Sequence, residues 1–506
     1  MSSDGSGNFK QPHALLFPFP AQGHINPMIQ LAMRMLDEGF FITFINTDHT
    51  HQRMFPKRPT AAAYLSTLPN LRFEHIPDGL PDPHQRFNEK PGGVVETIAA
   101  TLALAGPFAK LVRRILNSNE SPPLTCIIAD AFCTWIQDVA DQFHLPRVSL
   151  WTTPVHANIA YAFQSTLQSL GLIPVKDQSK LQEVVHCIQG ITPMKLENYI
   201  SFFLVDSTTD FMFQWLLRLC MKRPLEAAWN LANNFEEWES EACAAFKKEV
   251  PNFLPIGPLL PIDVCHGNPH NMESTSILSM WPEDTTCKDW LSKQEKASVI
   301  YISFGSIVNM SEEDIGELIQ GLEESGAPFL WAIRPDQMGA ALSRLWEKLD
   351  SEAVQGKPSS RAMLISWAPQ LAVLTHPSVG LFLSHCGWNS VIESVAGGVP
   401  ILAKPGGFAE QRMNANYIAD VWKIGHCLRN GAKVSEIKLL ISSLLGDSEE
   451  AADMQGRLSA LRQTALATVC PGGSSMSNFK LFINDMRRRA ASTSGLTRLE
   501  FNTRRE

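Results

Sequence analysis

Two side chains able to handle a proton occupy comparable places in this chain. His24 lies in the turn Pro20-Ala21-Gln22-Gly23-His24, which follows the apolar run Ala14-Leu15-Leu16-Phe17-Pro18-Phe19. Asp130 ends the run Cys126-Ile127-Ile128-Ala129. If both runs are strands of one parallel sheet, the two side chains share an edge. An imidazole, with an ordinary pKa near ~6.5, suits a general base at neutral pH. A carboxylate on its far ring nitrogen would fix the tautomer and stabilise the imidazolium.

A second constellation lies far downstream. His385, Asn389 and Ser390 flank the start of a helix expected from Trp388 to Ala396. Free backbone N–H groups and the helix dipole there favour a diphosphate. Glu393 falls one turn beyond Asn389 on the same face, where a carboxylate can accept both hydroxyls of a ribose. Taken singly, each of these residues is more often packing or a solvated side chain, and a lone histidine in a turn is more often structural. Their weight lies in the spacing of the set.

Strands and helices alternate around both sets. In the first half, strands are expected at 14–19, 41–45, 126–130 and 147–151, with a helix from Pro27 to Glu38 and Gly39 just past its end. Strands at 298–304, 328–333, 362–366, 379–383 and 400–403 form a second series. Alternation of this kind implies parallel sheets covered on both faces. Between the two series, from about Pro251 to Glu283, prolines cluster and periodicity is lost, as in a linker. The expected layout is an N-terminal disordered segment 1–11, a lobe over 12–258, a linker over 259–285 and a second lobe over 286–474. A helix over 475–489 and a disordered basic tail over 490–506 follow. Ligands of open α/β sheets bind beyond the carboxyl ends of the strands, so the natural site is the cleft between the lobes.

Composition narrows the classes. The 506 residues, 44% hydrophobic and 19% charged, are those of a globular protein, and a net charge of -8 argues against a nucleic-acid partner. Basic residues gather at Arg487-Arg488-Arg489 and Arg504-Arg505, read as a solvated end. No apolar run reaches the roughly 18–20 residues of a membrane span, and the polar start resembles no secretory signal. Ten scattered cysteines without a Cys-x-x-Cys pair suit reduced thiols in a cytoplasmic protein. There is no Gly-x-Gly-x-x-Gly after a strand, no Gly-Lys-Ser/Thr and no Asp-x-Asp, which removes dinucleotide, P-loop and metal-diphosphate machinery.

The segment Trp367-Ala368-Pro369-Gln370, His376-Pro377, His385-Cys386-Gly387-Trp388-Asn389-Ser390, Glu393 and Glu410-Gln411 resembles the plant secondary product glycosyltransferase box of family 1 UDP-sugar glycosyltransferases. Gly23-His24-Ile25-Asn26-Pro27, Pro255-Ile256-Gly257-Pro258-Leu259 and Ser303-Phe304-Gly305-Ser306 extend the resemblance over most of the chain. It implies an α/β GT-B fold of two Rossmann-like doubly wound lobes with the cleft between them. It also implies an inverting, metal-independent transfer from a UDP-sugar, with no bound cofactor and with His24 and Asp130 as the catalytic pair. Trp367 would stack on uracil, a contact worth about 1–3 kcal/mol where bases meet aromatic rings. The Ala368 backbone and Gln370 would read uracil and ribose, and Ser306 would add a hydroxyl. Trp388 belongs to the same donor set, and Glu410 and Gln411 would hold sugar hydroxyls.

Two departures touch the sugar. Gly406-Gly407-Phe408-Ala409 makes the loop before Glu410 one residue longer than usual, and Lys404 replaces a typical tryptophan. Gln411 favours glucose by analogy, whereas Lys404 could face an acidic sugar such as glucuronic acid. Acceptor contacts are expected from Phe19, Gln22, Trp135, His156, Phe202 and Phe203. The apolar stretch 163–234 reads equally as core helices or as a pocket wall. The leading reading is a cytoplasmic, monomeric O-glucosyltransferase for a small lipophilic acceptor, a phenolic or flavonoid first, with terpenoid alcohols and hormone-like acids next. A sterol or lipid transferase at a membrane surface and a degenerate nucleotide-sugar sensor are the alternatives.

Overall fold

β1 (His13–Phe17) and β4 (Leu124–Asp130) are buried at every position. Continuous rather than alternating burial is what a sheet covered on both faces demands. The structure is a computed structural model that describes residues 11–55, 64, 67–80, 93–215, 223–265, 280–305, 310–334, 338–354 and 361–493. The expected disordered start at 1–10, most of the linker, Ser306 and the end of the tail from 494 lie outside the described residues.

The first sheet has seven parallel strands. With β1 and β4 stand β2 (Phe41–Thr47), β3 (Leu71–Ile76), β5 (Arg147–Trp151), β8 (Trp229–Ala232) and β9 (Phe253–Pro255), in the order β3-β2-β1-β4-β5-β8-β9. A hairpin of β6 (Val184–Val185) and β7 (Met194–Lys195) stands apart. The second sheet has six parallel strands in the order β12-β11-β10-β13-β14-β15. They are β10 (Val299–Ser303), β11 (Phe329–Ala332), β12 (Ala362–Ile365), β13 (Val379–Ser384), β14 (Ile401–Ala403) and β15 (Gly425–Cys427). Each sheet starts in its middle and reverses direction of growth there, which opens a crevice at β1/β4 and at β10/β13.

Six strands escaped the sequence reading: β3, β8, β9 and β15 of the two large sheets, and both strands of the hairpin, β6 and β7. β9 has three residues and ends in proline, which an edge position tolerates because no further strand needs its N–H. It sits inside the stretch read as linker. The first helix, α1 (Gln22–Asp37), begins five residues before Pro27, so His24 belongs to its opening turn. From α1 the buried Arg34 donates to the carbonyls of Ile256 (3.2 Å), Pro258 (2.6 Å) and Leu260 (3.4 Å), which ties the chain leaving the first lobe to that lobe.

The last helix, Ser474–Thr493, runs four residues into the segment expected to be disordered. It follows the second sheet in sequence but buries Phe479, Phe482, Ile483 and Met486 with Leu16, Ile128 and Leu254 of the first. Polar ties flank these contacts: Trp229 Nε1 donates to Asp485 (2.9 Å), and Arg487 donates to the Glu38 carboxylate (3.0 Å). Arg488 and Arg489 are paired with Asp485, so this basic run is internally engaged. Among the described residues no single helix is long and apolar enough to cross a membrane. Phe482 is fully buried, so Phe482→Ala should cost roughly 3–5 kcal/mol, as buried phenylalanine truncations do. A urea midpoint unchanged by this variant would mean that the helix does not anchor the first lobe in solution.

Candidate active site

The two crevices face each other across one cavity of about 440 Å³. On the first lobe, β1 and β4 are neighbours, with Phe17 opposite Ala129, and this register brings His24 and Asp130 together. His24 Nδ1 lies 2.7 Å from Asp130 Oδ2 and 3.0 Å from Thr152 Oγ1. Asp130 is buried, and its other oxygen accepts from the Phe132 N–H at 2.9 Å. A carboxylate held at both oxygens cannot swing away from the ring. With Nδ1 occupied, Nε2 is the ring nitrogen left for a substrate.

On the second lobe, Gly305 follows β10 and His385 follows β13, again from neighbouring strands. The imidazole lies against both Gly305 and Gly387. A Cβ at either would come within 2.7 or 2.6 Å of His385 Nε2, so only glycine fits on either side. Burial pushes His385 down to about 4, so near neutral pH it is an uncharged N–H donor rather than a cation. The helix Trp388–Gly397 then begins with no side chain capping its first N–H groups, a ready anion site.

Glu393 and Gln370 form the inner end. Gln370 Nε2 donates to Glu393 Oε2 (2.5 Å) and Ser390 Oγ (3.0 Å), while Tyr301 O–H donates to Gln370 Oε1 (3.2 Å). Burial pushes Glu393 up to about 7, and Glu283 adds to the rise against the Gln370 hydrogen bond. Trp367 stands beside Trp281 at 5.8 Å, and the Trp281 ring in turn meets the guanidiniums of Arg53 (4.3 Å) and Arg334 (4.9 Å). Trp367, Ala368, Gln370, His385, Asn389, Ser390, Glu393, Glu410 and Gln411 all line the cavity.

Asn389 shows how the motif near the start of the chain works. Pro27 has no N–H, so the carbonyl four residues earlier, that of Gly23, lacks its helical partner. Asn389 Nδ2 of the other lobe donates to that carbonyl at 2.6 Å. A break in one helix thus becomes a contact between lobes, beside the catalytic candidate His24.

In the lengthened loop, Gly407 and Ala409 take left-handed backbone (φ 76° and 51°), which absorbs the extra residue as a bulge. Glu410 and Gln411 still face the cavity, and the Gly406 N–H donates to Gln411 Oε1 at 2.9 Å. Burial raises Glu410 above the ordinary carboxyl range, with the charges of His24 and His156 opposing it. Lys404 points elsewhere: it is buried and donates to the Arg429 carbonyl (3.1 Å) and Asn430 Oδ1 (3.0 Å), which removes the support for an acidic sugar.

Of the expected acceptor residues, Phe19, Gln22 and Phe202 line the cavity and three do not. Trp135 packs edge-on against Phe17 (5.6 Å) and Phe108 (5.5 Å) in the first-lobe core, because it ends the loop on the face away from the cleft. Phe203 is fully buried against Tyr161. His156 is fully buried between lobes, with Nδ1 2.5 Å from Glu239 Oε1, Nε2 2.9 Å from Asn414 Oδ1, and its ring stacked on Tyr417 at 3.9 Å. Trp388 faces the cavity only in part, since its indole donates to the Asn233 carbonyl (2.8 Å) and packs on Trp238. Sequence reasoning missed Phe132, Thr152, Trp215, Arg334 and Phe408 as lining residues. Thr152 and Phe132 had a signal, because they lie one and two residues past the carboxyl ends of β5 and β4; Trp215 had none.

Burial alone would raise Glu239, but the His156 charge and hydrogen bonds from His156 and Val155 outweigh it and hold the carboxyl below its ordinary value. Removing His156 leaves that buried carboxylate unpaired, so His156→Ala should destabilise by roughly 3–5 kcal/mol; a thermal midpoint near that of the unaltered protein would contradict the pairing. Glu393 behaves in the opposite sense. The folded protein keeps a proton there that the unfolded chain releases near 4.5, so its stabilisation is lost as pH rises through about 7. The melting temperature of Glu393→Gln, relative to the unaltered protein, should therefore rise between about pH 5 and pH 8, and a difference independent of pH would refute this.

The sequence profile of the UDP-glucoronosyl and UDP-glucosyl transferase family matches residues 113–432. Linamarin synthase 1 of Manihot esculenta is 36% identical over 484 residues, covering 94% of this chain and 97% of that protein. The (R)-mandelonitrile beta-glucosyltransferase of Prunus dulcis is 35% identical over 472 residues, covering 92% and 95%. A solved UDP-glucose: anthocyanidin 3-O-glucosyltransferase in complex with UDP is 24% identical, covers 94% of this chain and 99% of its own, and superposes with a TM-score of 0.76. Two facing Rossmann-like lobes, a donor box that lines their cleft and relatives along nearly the whole length make one statement: this chain is a UDP-glycosyltransferase of the GT-B fold and belongs to the plant family 1 enzymes.

Proposed function

We propose that the protein transfers glucose from UDP-glucose to a hydroxyl of a small lipophilic acceptor, with inversion and without a metal ion. The observation that carries this reading is the His24–Asp130 pair at 2.7 Å, opposite the donor box across one cavity. Uracil lies on Trp367, ribose hydroxyls bond to Glu393, and the diphosphate meets the open N–H groups at the start of Trp388–Gly397. Glu410 and Gln411 hold the sugar. The acceptor oxygen attacks the anomeric carbon while His24 Nε2 takes its proton, and the bond to the phosphate oxygen breaks on the opposite face. An α-linked donor so becomes a β-glycoside. The charge left on UDP is met by helix N–H groups and neutral His385, fixed donors that need no reorganisation. Asp130 stabilises the imidazolium as it forms.

Aromatic side chains around the acceptor end favour a phenolic or flavonoid. Relatives named for mandelonitrile and 7-deoxyloganetin add hydroxynitriles and terpenoid alcohols to the panel worth testing. The intact His24, Asp130, His385 and Glu393 speak against a degenerate sensor. A cytoplasmic monomer remains part of the proposal.

Incubation with UDP-glucose, this acceptor panel and EDTA should yield products heavier by one hexose together with free UDP. His24→Ala should lower kcat by roughly 10²–10⁴-fold while UDP affinity stays unchanged. Turnover within about tenfold of the unaltered protein would remove His24 as the base, and UDP binding with no product from any acceptor would favour the sensor.

A further inference from the structure

Five rings form an unbroken wall along the acceptor end of the cavity. His24 meets Phe132 at 5.2 Å, Phe132 meets Trp215 at 5.3 Å, Trp215 meets Phe202 at 6.5 Å, and Phe202 meets Phe408 at 5.2 Å. The last three contacts are edge-on, at 72°, 82° and 82°. Four of the rings come from the first lobe. Phe408 comes from the second, in the lengthened loop that also carries Glu410 and Gln411. All five residues line the cavity.

That loop is fastened to the acceptor side. The Ser201 N–H donates to the Ala409 carbonyl at 2.9 Å, and the Ala409 N–H donates to Ser201 Oγ at 2.9 Å. Arg412 Nη1 donates to the Glu197 carbonyl at 3.4 Å. A left-handed residue on either side of Phe408 turns its ring toward Phe202, so the bulge and the clamp fix one placement. The sugar-side residues and the far wall of the acceptor pocket therefore move as one piece.

We propose that Phe408 is an acceptor-specificity residue, closing the aromatic wall from the donor lobe and limiting the pocket to flat, apolar ring systems of a set length. The inference rests on the transferase reading above, in that it takes this end of the cavity as the acceptor site. A one-ring acceptor needs the Phe408 ring to complete its enclosure. A longer one gains room when the ring is removed.

The test is calorimetric binding of 4-nitrophenol, with one ring, and a flavonol, with three, to the UDP-saturated protein, alongside glucose transfer to both. Phe408→Ala should weaken 4-nitrophenol by about tenfold, as expected for loss of an aromatic contact with its buried area. Flavonol affinity should hold or improve, so the ratio of the two shifts at least tenfold. Phe408→Tyr should restore the original ratio within about threefold. UDP alone should bind both variants as it binds the unaltered protein, because the nucleotide end does not touch this loop. A ratio unchanged in Phe408→Ala, UDP affinity falling in step with acceptor affinity, or unaltered protein that binds neither compound overturns the proposal. Binding with the expected pattern but no transfer of glucose keeps the wall and refutes the glucosyltransferase reading instead.

Discussion

His156 places each ring nitrogen against an oxygen acceptor, and the two acceptors belong to different lobes. Asn414 has no freedom to turn its amide, because its Nδ2 donates to the Cys386 carbonyl at 2.8 Å. Glu239 is held by backbone N–H groups of Val155 and His156 and by Asn234. Both partners of the ring are themselves hydrogen-bonded on other atoms, as buried polar groups require. Around it Tyr417 stacks on the ring, and Trp238, Trp388 and Trp422 pack at 4.7–6.1 Å from one another. This seam sets how the two sheets face each other, and every distance across the cavity depends on it.

The chemistry gathers where topology leaves space. Each sheet begins with its central strand, and the strands on its two sides carry their connections to opposite faces, so the loops part at β1/β4 and at β10/β13. His24 and Asp130 leave the first parting, and Gly305 and His385 leave the second. The carboxyl ends supply the groups while the seam turns the two partings toward one another. Pro27 adds a local device: the carbonyl it frees at Gly23 accepts from Asn389 Nδ2, which registers the start of the Trp388–Gly397 helix against the turn that carries His24.

Environment then separates groups of the same type. Among the described residues, two histidines line the cavity. His24 is kept in contact with a carboxylate and a hydroxyl, and His385 is buried against two glycines with its charged form disfavoured. Two glutamates, Glu393 and Glu410, are both raised by burial, one softened by an amide hydrogen bond and the other by nearby imidazoles.

Most inner strands were legible in the sequence because a parallel strand buried on both faces must be an apolar run, and β1, β2, β4, β5, β10, β11, β13 and β14 are such runs; the inner strand β8 is only four residues long with Asn230 among them and was missed. β3 mixes Leu71, Phe73 and Ile76 with Arg72, Glu74 and His75 at the half-buried edge of the sheet, and β9 is three residues ending in proline, so neither carries that signal. Placement of His24 beside Asp130 followed from their positions at strand ends, which needs only the order of neighbouring strands. Trp135, His156 and Phe203 carry the same composition whether they face the cleft or the core, and only the phase of the following helix and the packing of the second lobe choose between these. By itself the sequence determined the apolar inner runs of the two sheets, the strand ends that carry Asp130 and His385, and the spacing of the motif from Trp367 to Gln411, because local patterns encode these. The tertiary structure alone decided that Lys404 turns away, that His156 joins the lobes and that Phe408 packs edge-on against Phe202 of the other lobe. Each of those depends on contacts between residues hundreds of positions apart, or on a one-residue bulge whose direction the neighbouring lobe selects.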